Sequence, residues 1–439
     1  MIPGRALSAV RSSLTRPNLG VRYGRVIRAS GTILEAELPS VQVGNLVHVL
    51  VENGTILAEV VGFRGGAGLL MPYGSIEGIR PGARVRVRGG GTMVDVGSEL
   101  IGRVIDAFGE PLDGLPRPHT ADVLPLERTA PAPHERRPIQ EPFETGVRVV
   151  DGLLTAGRGQ RVGLFAGAGV GKTVLIRQIA AQAKADVKVI ALIGERGCEV
   201  ADVMHDFDLS SSVLVVATSD RSPLERARGA LAATTIAESF AAEGKDVLLV
   251  VDSLTRYAMA RREVGLAAGE LPATKGYPPS VFALMPQLLE RVAPLRSGGS
   301  ITGFYTVLVE GDDLSDPVAD SARSLLDGHI VLSRDLAAQG HFPAVDVLPS
   351  ASRVMRQVCQ PGALGLAGQA RALLAQRSEV EDLRRLGAYQ PGQNPEFDEV
   401  LALGKKLDRW SAQNPEEASD RTTALHGLAT ALRREGNKS

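Results

Sequence analysis

Ala166-Gly167-Ala168-Gly169-Val170-Gly171-Lys172-Thr173 stands between an apolar run, residues 161–165, and a helix-forming run, residues 174–183. A strand, a glycine-rich turn and a Lys-Thr pair opening a helix is an arrangement that holds nucleotide phosphates. Small residues let successive backbone N–H groups approach the anion, and the helix N-terminus adds partial positive charge. In such a loop Lys172 reaches the β- and γ-phosphates and the Thr173 hydroxyl ligates Mg2+. The strict pattern begins with glycine, and this chain has Ala166 at that point.

Around this stretch, strand-like and helix-like runs alternate. Near-continuous Val/Ile/Leu runs at 161–165, 187–193, 213–217, 247–251, 301–309 and 329–332 read as strands covered on both faces. Helical stretches such as 223–243 and 280–292 fall between them, which implies an α/β nucleotide domain on a mostly parallel sheet. Upstream, residues 115–142 carry Pro116, Pro118, Pro125, Pro131, Pro133, Pro138 and Pro142 and read as an extended crossover between domains. Before that, glycine-separated β-type runs at 21–29, 32–38, 46–51, 55–63 and 83–87 suggest a small all-β barrel. Only Tyr23, Phe63 and Tyr73 are aromatic there. A barrel that stacks bases carries more, so a structural collar is expected. After about residue 360 the strand signal stops, and 363–386, 395–410 and 415–434 read as helices. Asn394-Pro395 and Asn414-Pro415 each place a cap before a proline at the first helical position. The expected division is an N-terminal segment 1–20, a barrel 21–91, a nucleotide domain 92–360 and a helical domain 361–439.

At 439 residues the chain has room for about three domains. Its 44% apolar and 23% charged residues are ordinary globular usage. A net charge of −1 argues against a chain that coats nucleic acid. Cys198 and Cys359 are too few for a disulfide framework and suit a reducing compartment. No uncharged apolar run approaches the ~18 residues of a bilayer span, so a soluble, cytoplasmic protein is expected. Residues 1–20 carry Arg5, Arg11 and Arg16 and no acid. They read either as a frayed terminus or as a basic amphipathic helix, with Leu7, Val10 and Leu14 on one side, that docks on a partner or an anionic membrane.

Hydrolysis needs more than a phosphate cradle: a carboxylate on the metal side, a group that activates water, and positive charge at the γ-phosphate. Asp252 ends the apolar run 247–251, where a carboxylate faces the ligand edge of a parallel sheet; an Asp there also serves to cap the next helix. Glu195, in Gly194-Glu195-Arg196-Gly197, follows the run 187–193 and could orient water, with Arg196 beside the phosphates. The same four residues also suit a surface turn with an internal ion pair. Arg353, in Ser350-Ala351-Ser352-Arg353, can be a surface residue, an ion-pair partner or a finger to a neighbour's nucleotide, and on the local sequence alone the surface reading wins. No zinc-ligand pattern, Ser-His-Asp arrangement or dinucleotide fingerprint emerges.

Taken together and in order, these blocks resemble the hexameric ATPase superfamily of rotary ATP synthase catalytic β-type subunits. Within it they most resemble the ATPase of type III protein export, flagellar or virulence-associated. The likeness is carried by Arg136-Arg-Pro-Ile-Gln-Glu-Pro142, Gly146-Val-Arg-Val-Val-Asp-Gly-Leu-Leu154, the glycine-rich loop and Ile193-Gly-Glu-Arg-Gly197. It continues through Thr218-Ser-Asp-Arg-Ser222, Val250-Val-Asp-Ser-Leu-Thr-Arg-Tyr257, Lys275-Gly-Tyr-Pro-Pro-Ser-Val-Phe282 and Gly299-Ser-Ile-Thr302. Val309-Glu-Gly-Asp-Asp313, Leu326-Asp-Gly-His-Ile-Val-Leu-Ser-Arg334 and His341-Phe-Pro-Ala-Val-Asp346 complete it. It spans roughly residues 20–390, and the blocks from Lys275 onward point to export ATPases.

The resemblance implies a RecA-like nucleotide domain with an N-terminal barrel and a C-terminal helical domain, acting on ATP with Mg2+. It implies that residues 166–173 cradle the phosphates, that Lys172 and Thr173 hold the loop's roles, and that Glu195 activates water. Arg196 becomes a phosphate contact, Asp252 the Mg2+-side carboxylate, Phe342 an aromatic packed on adenine, and Arg353 an arginine finger donated across a subunit interface. In rotary synthases that Glu and that Arg come from different chains; here one chain carries both, so a homohexamer that completes its own sites is expected. Implied partners are a stator-like regulator at the N-terminus, a central stalk, the export gate and chaperone–cargo complexes, but no nucleic acid. The implied location is peripheral, at the cytoplasmic face of the bacterial inner membrane.

Three departures stand out. Ala166 replaces the first glycine, Cys198 stands where the family usually has Arg, and Leu271 replaces a usual Pro in residues 269–279, which resemble a pore-lining loop. Lys275-Gly-Tyr and Asp320-Ser-Ala-Arg323 lean towards the flagellar branch, while Val345-Asp-Val-Leu348 is found in both. A catalytic subunit of a rotary proton-translocating ATPase is the alternative, and an RNA-translocating hexamer a more distant one.

Overall fold

The computed structural model describes residues 23–434, apart from 53, 89–91, 207, 310, 312 and 314 and the side chains of 205 and 206. The N-terminal segment expected to meet a partner, residues 1–20, lies outside them. The chain divides into two compact units, Met1–Thr92 with Val264–Glu270, and Met93–Glu263 with Leu271–Ser439.

The first unit holds a closed antiparallel barrel in the order Tyr23–Ser30, Ile33–Glu37, Ala67–Pro72, Gly54–Arg64, Leu46–Val51, Arg84–Val87. Val26, Leu34, Val47, Val49, Val60, Leu70 and Val85 fill its interior, and closure leaves no strand edge open. Five strands were expected and six form. Ala67–Pro72 gives no alternating signal because Leu69, Leu70 and Met71 are all buried. Its approach through Gly65-Gly66, both at positive φ, reads only as a turn.

The second unit is built on an eight-stranded sheet ordered Val345–Ser352, Gly328–Leu332, Arg161–Ala166, Ser300–Leu308, Asp246–Asp252, Val187–Ile193, Ser212–Ala217, Val104–Asp106. Only Val345–Ser352 runs antiparallel to its neighbour. Side chains alternate between two cores. Val189, Ala191 and Ile193 join Ala233, Ile236 and Phe240 of the helix Pro223–Ala242 on one face. Ile190 and Leu192 join Leu175 and Ile179 of the helix Lys172–Gln182 on the other. A strand with both neighbours paired and both faces covered has no use for polar residues, which is why these runs are nearly pure Val, Ile and Leu.

The C-terminal helices Pro361–Arg385, Pro395–Ser411 and Arg421–Ala431 share the second of these cores, through Ala370, Leu407, Trp410 and Leu428. Trp410 lies so close to Gly152 that a Cβ there would meet its ring at 2.9 Å, and its Nε1 donates to Ala424 O. Asn394 caps its helix as expected, accepting from Glu396 N. The Asn414-Pro415 reading is corrected: the last helix starts at Arg421, capped by Asp420. Gln413 is drawn inward, accepting from Arg148 N and donating to Gly146 O, so the following residues form a loop anchored on the core. The proline-rich residues 115–142 are corrected too. They stay within the second unit, where Asp122–Pro125, the stretch whose only proline is terminal, pairs antiparallel with Met93–Val96.

Candidate active site

Four neighbouring strands end on one edge of the sheet, and each delivers a polar group there. Arg161–Ala166 leads into the glycine-rich loop, whose Gly169 and Gly171 adopt φ of 76° and 90°, a left-handed backbone that glycine tolerates without strain. Ala166 needs no such freedom. It is still strand, opposite Leu308, and its carbonyl accepts from Val309 N, so the missing first glycine leaves the loop unaltered. Gly171 then caps the helix that opens with Lys172 and Thr173.

Lys172 Nζ reaches Asp252 Oδ1 at 2.5 Å and Glu195 Oε1 at 3.5 Å. Asp252, at the end of its strand and 3% exposed, also accepts from Thr306 Oγ1 at 2.6 Å. Thr306 belongs to the strand lying between those of Lys172 and Asp252. Glu195 follows Val187–Ile193 in a loop pinned by Gly194 N to Ala217 O and Ser219 N to Glu195 O. Gly194 is required there: it sits at φ 71°, and a Cβ would meet the Arg256 side chain at 3.0 Å.

Burial sets the electrostatics of Glu195. Burial pushes the Glu195 carboxyl up to about 7. The Lys172 ammonium opposes the rise, and Asp252 and a hydrogen bond with Glu199 add to it. Its Oε1 is buried with no hydrogen-bond partner among the described residues. A carboxyl poised near neutrality, whose Oε1 faces the Lys172 ammonium without a hydrogen bond, is suited to take a proton from water. Thr173 and Asp252 offer one hydroxyl and one carboxylate, hard oxygen donors that fit Mg2+. That ion is usually held by one or two carboxylates plus substrate phosphates, not by a full protein cage. No group of three or more His, Cys, Asp or Glu able to hold a metal occurs among the described residues.

The other sequence candidates fall around this cluster or away from it. Phe342 is 40% exposed and lies against the loop, where a Cβ on Gly171 would meet its ring at 3.3 Å. Arg196 points outward onto Glu199 at the surface and is not among the groups gathered around Lys172. Cys198 is an exposed thiol in the first turn of the helix Gly197–Asp206.

Arg353 is absent from this edge. It follows Val345–Ser352, in which Val345 pairs with Leu332 and Ser352 with Gly328, so it stands where the parallel strands begin. Its N–H donates to Asp327 O and its Nη2 to Arg323 O at 3.1 Å. At ~3.3 Å per strand residue, roughly 15–20 Å of sheet separates it from the loop on the same chain.

Thr306 and Arg256 escaped the sequence reading. Thr306 shares its run with the hydroxyls of Thr302 and Tyr305, so nothing local singles it out. Arg256 lies four residues after Asp252, and its Nε is buried without a hydrogen-bond partner among the described residues.

Residues 146–352 match the ATP synthase alpha/beta family nucleotide-binding domain, 26–89 that family's beta-barrel domain, and 359–430 the T3SS EscN ATPase C-terminal domain. The flagellum-specific ATP synthase of Bacillus subtilis is 48% identical over 90% of this chain and 92% of its own. The chain belongs to the flagellar and type III secretion ATPase family. The type 3 secretion system ATPase of Xanthomonas euvesicatoria is also 48% identical, over 87% of this chain and 88% of its own. A solved structure of the assembled ATPase EscN of enteropathogenic E. coli, in complex with its central stalk EscO, superposes with a TM-score of 0.86. It is 42% identical and covers 93% of this chain and 100% of its own. The chain is thus an ATPase of the export type.

Proposed function

We propose that this ATPase works as a Mg2+-dependent homohexamer in which Arg353 of the partner subunit completes each phosphate cradle, and that its cycle energises type III protein export. The observation that carries this reading is the separation of Glu195 and Lys172 from Arg353 by the width of the sheet. One copy holds both halves of a hydrolytic site and cannot bring them together; a closed head-to-tail ring can.

Within a site, the loop amides and Lys172 bind the β- and γ-phosphates. Glu195 accepts the proton of the attacking water, and Gly194 and Arg256 fix the loop that aims it. Thr173 and Asp252 would hold the metal, which when bound would neutralise phosphate charge. Thr306 keeps Asp252 oriented. Charge that builds on the transferring group is met by Arg353 of the partner subunit.

ATP turnover in such a ring would drive chaperone release, cargo unfolding or delivery to the export gate. The solved EscN–EscO complex supports contact with a central stalk, and a stator-like regulator would meet the N-terminal segment. No helix of the described residues is long and apolar enough to cross a membrane, which suits peripheral docking at the inner membrane. The flagellar and virulence relatives are equally identical, so the lean of Lys275-Gly-Tyr towards the flagellar branch gains nothing from them.

Specific Mg2+-ATPase activity measured over a wide protein-concentration series tests the reading. Activity per chain should rise cooperatively with concentration, and a constant specific activity down to the monomer contradicts it. Because the active form of Glu195 is the carboxylate and its pKa is raised to about 7, kcat/KM should climb about tenfold per pH unit below 7 and level off above it. Phe342→Ala should raise the KM for ATP ~5–160-fold with little change in kcat, since stacking on a base is worth about 1–3 kcal/mol. Steady-state kinetics read both.

A further inference from the structure

We infer that Lys275 is a positioning residue for Arg353, acting through the helix Pro317–Leu325. The inference rests on the reading that Arg353 serves a partner's site.

The nine-residue helix, about 13 Å long, is gripped at both ends. At its start Asp316 divides its two oxygens. Oδ1 accepts from Val318 N at 2.9 Å and Ala319 N at 3.4 Å, while Oδ2 faces Lys275 Nζ at 3.7 Å. Asp313 adds a second carboxylate at 3.8 Å. Lys275 is held at φ 47°, ψ 31°, a left-handed conformation that non-glycine residues seldom adopt. The cap that fixes the helix start is therefore also the contact that fixes Lys275.

At the far end, the Arg323 carbonyl belongs to the last turn, where carbonyls lack intrahelical donors. The N–H next in line, that of Asp327, is committed to Arg161 O. Arg323 O is left for the Arg353 guanidinium, which donates to it at 3.1 Å, at the negative end of the helix dipole. Between the ends, Val318, Ala319 and Ala322 are fully buried against the core, so a displacement of the cap passes along a rigid rod to the carbonyl that holds Arg353. Lys275 pulls on one end and Arg353 hangs on the other.

Glu195→Gln chains keep Arg353 and lack the base; Arg353→Ala chains keep the base and lack the finger. Full-length chains of the two kinds, mixed into rings, make the test. Lys275→Gly removes the ammonium and suits the left-handed backbone. Placed on the Glu195→Gln chain, which donates Arg353, it should lower mixed-ring kcat about two- to fivefold, the range of a half-exposed ion pair, with the KM for ATP unchanged. Lys275→Arg on that chain should restore the rate. Placed on the Arg353→Ala chain, Lys275→Gly should change nothing. Equal effects from both placements, or none from either, overturn the inference alone. Parent chains that give no activity on mixing overturn the shared-site reading and this inference with it.

Discussion

Replacing Arg353 with alanine is expected to slow ATP hydrolysis ~10³–10⁵-fold, the range of arginine fingers in phosphoryl transfer, while ATP binding by a single protomer stays as it was. The expectation follows from position. Arg353 is exposed and held by two backbone carbonyls, one of them through its own N–H. It lies at the start of the parallel strands, so removing its side chain takes nothing from the cradle on the same chain. Surface truncation of this kind costs little stability, so the loss will not come from unfolding. Arg353→Lys should recover only a small part of the rate, because an ammonium cannot reproduce the planar fork that meets phosphate oxygens. Steady-state turnover and nucleotide titration on the same preparations separate the two effects. A parallel loss of ATP affinity in the protomer would place Arg353 in its own site and remove the reason for a shared one.

Glu195→Gln should lower kcat by ~10²–10⁴, the usual contribution of a positioned general base, with ATP binding retained. The amide matches the carboxylate in shape and keeps the loop pinned through Gly194 N and Glu195 O, yet it cannot take a proton. Lys172 keeps its contact with Asp252 at 2.5 Å, so the phosphate cradle and the metal-side carboxylate persist. The rise of kcat/KM through pH 7 should disappear with the base that causes it. A variant that keeps more than about a tenth of wild-type turnover would assign proton transfer to another group. Glu199, hydrogen-bonded to Glu195, is the adjacent carboxylate.

What could be read in the sequence follows from how local each feature is. The glycine-rich loop declares itself because its turn, its anion-binding amides and its lysine occupy eight consecutive residues. Asp252 and Glu195 are visible because they stand one and two residues beyond an apolar run, where a parallel strand must end. Thr306 and Arg256 were hidden because their partners are non-local: Thr306 meets Asp252 only when two strands pair, and Arg256 meets Gly194 only across the sheet edge. The barrel strand Ala67–Pro72 lost its signal to complete burial. The start of the last helix was misread because a tertiary contact of Gln413 with residues 146 and 148 outweighs the local Asn-Pro signal. Arg353 is a different case. Nothing in its neighbourhood marks it; family likeness named it and strand register then gave it a position.

That position is best tested by mixing. Equal amounts of Glu195→Gln and Arg353→Ala chains, each inactive alone, are dissociated, reassembled together and assayed for Mg2+-ATPase activity. In rings filled at random, about a quarter of the interfaces pair an intact Glu195 with an intact Arg353 from the neighbouring copy. Recovery of turnover towards about that fraction of wild type is the expected result. Persistent inactivity at every mixing ratio, in preparations that demonstrably form mixed rings, would mean that Glu195 and Arg353 do not meet across an interface and that the site is not shared between copies.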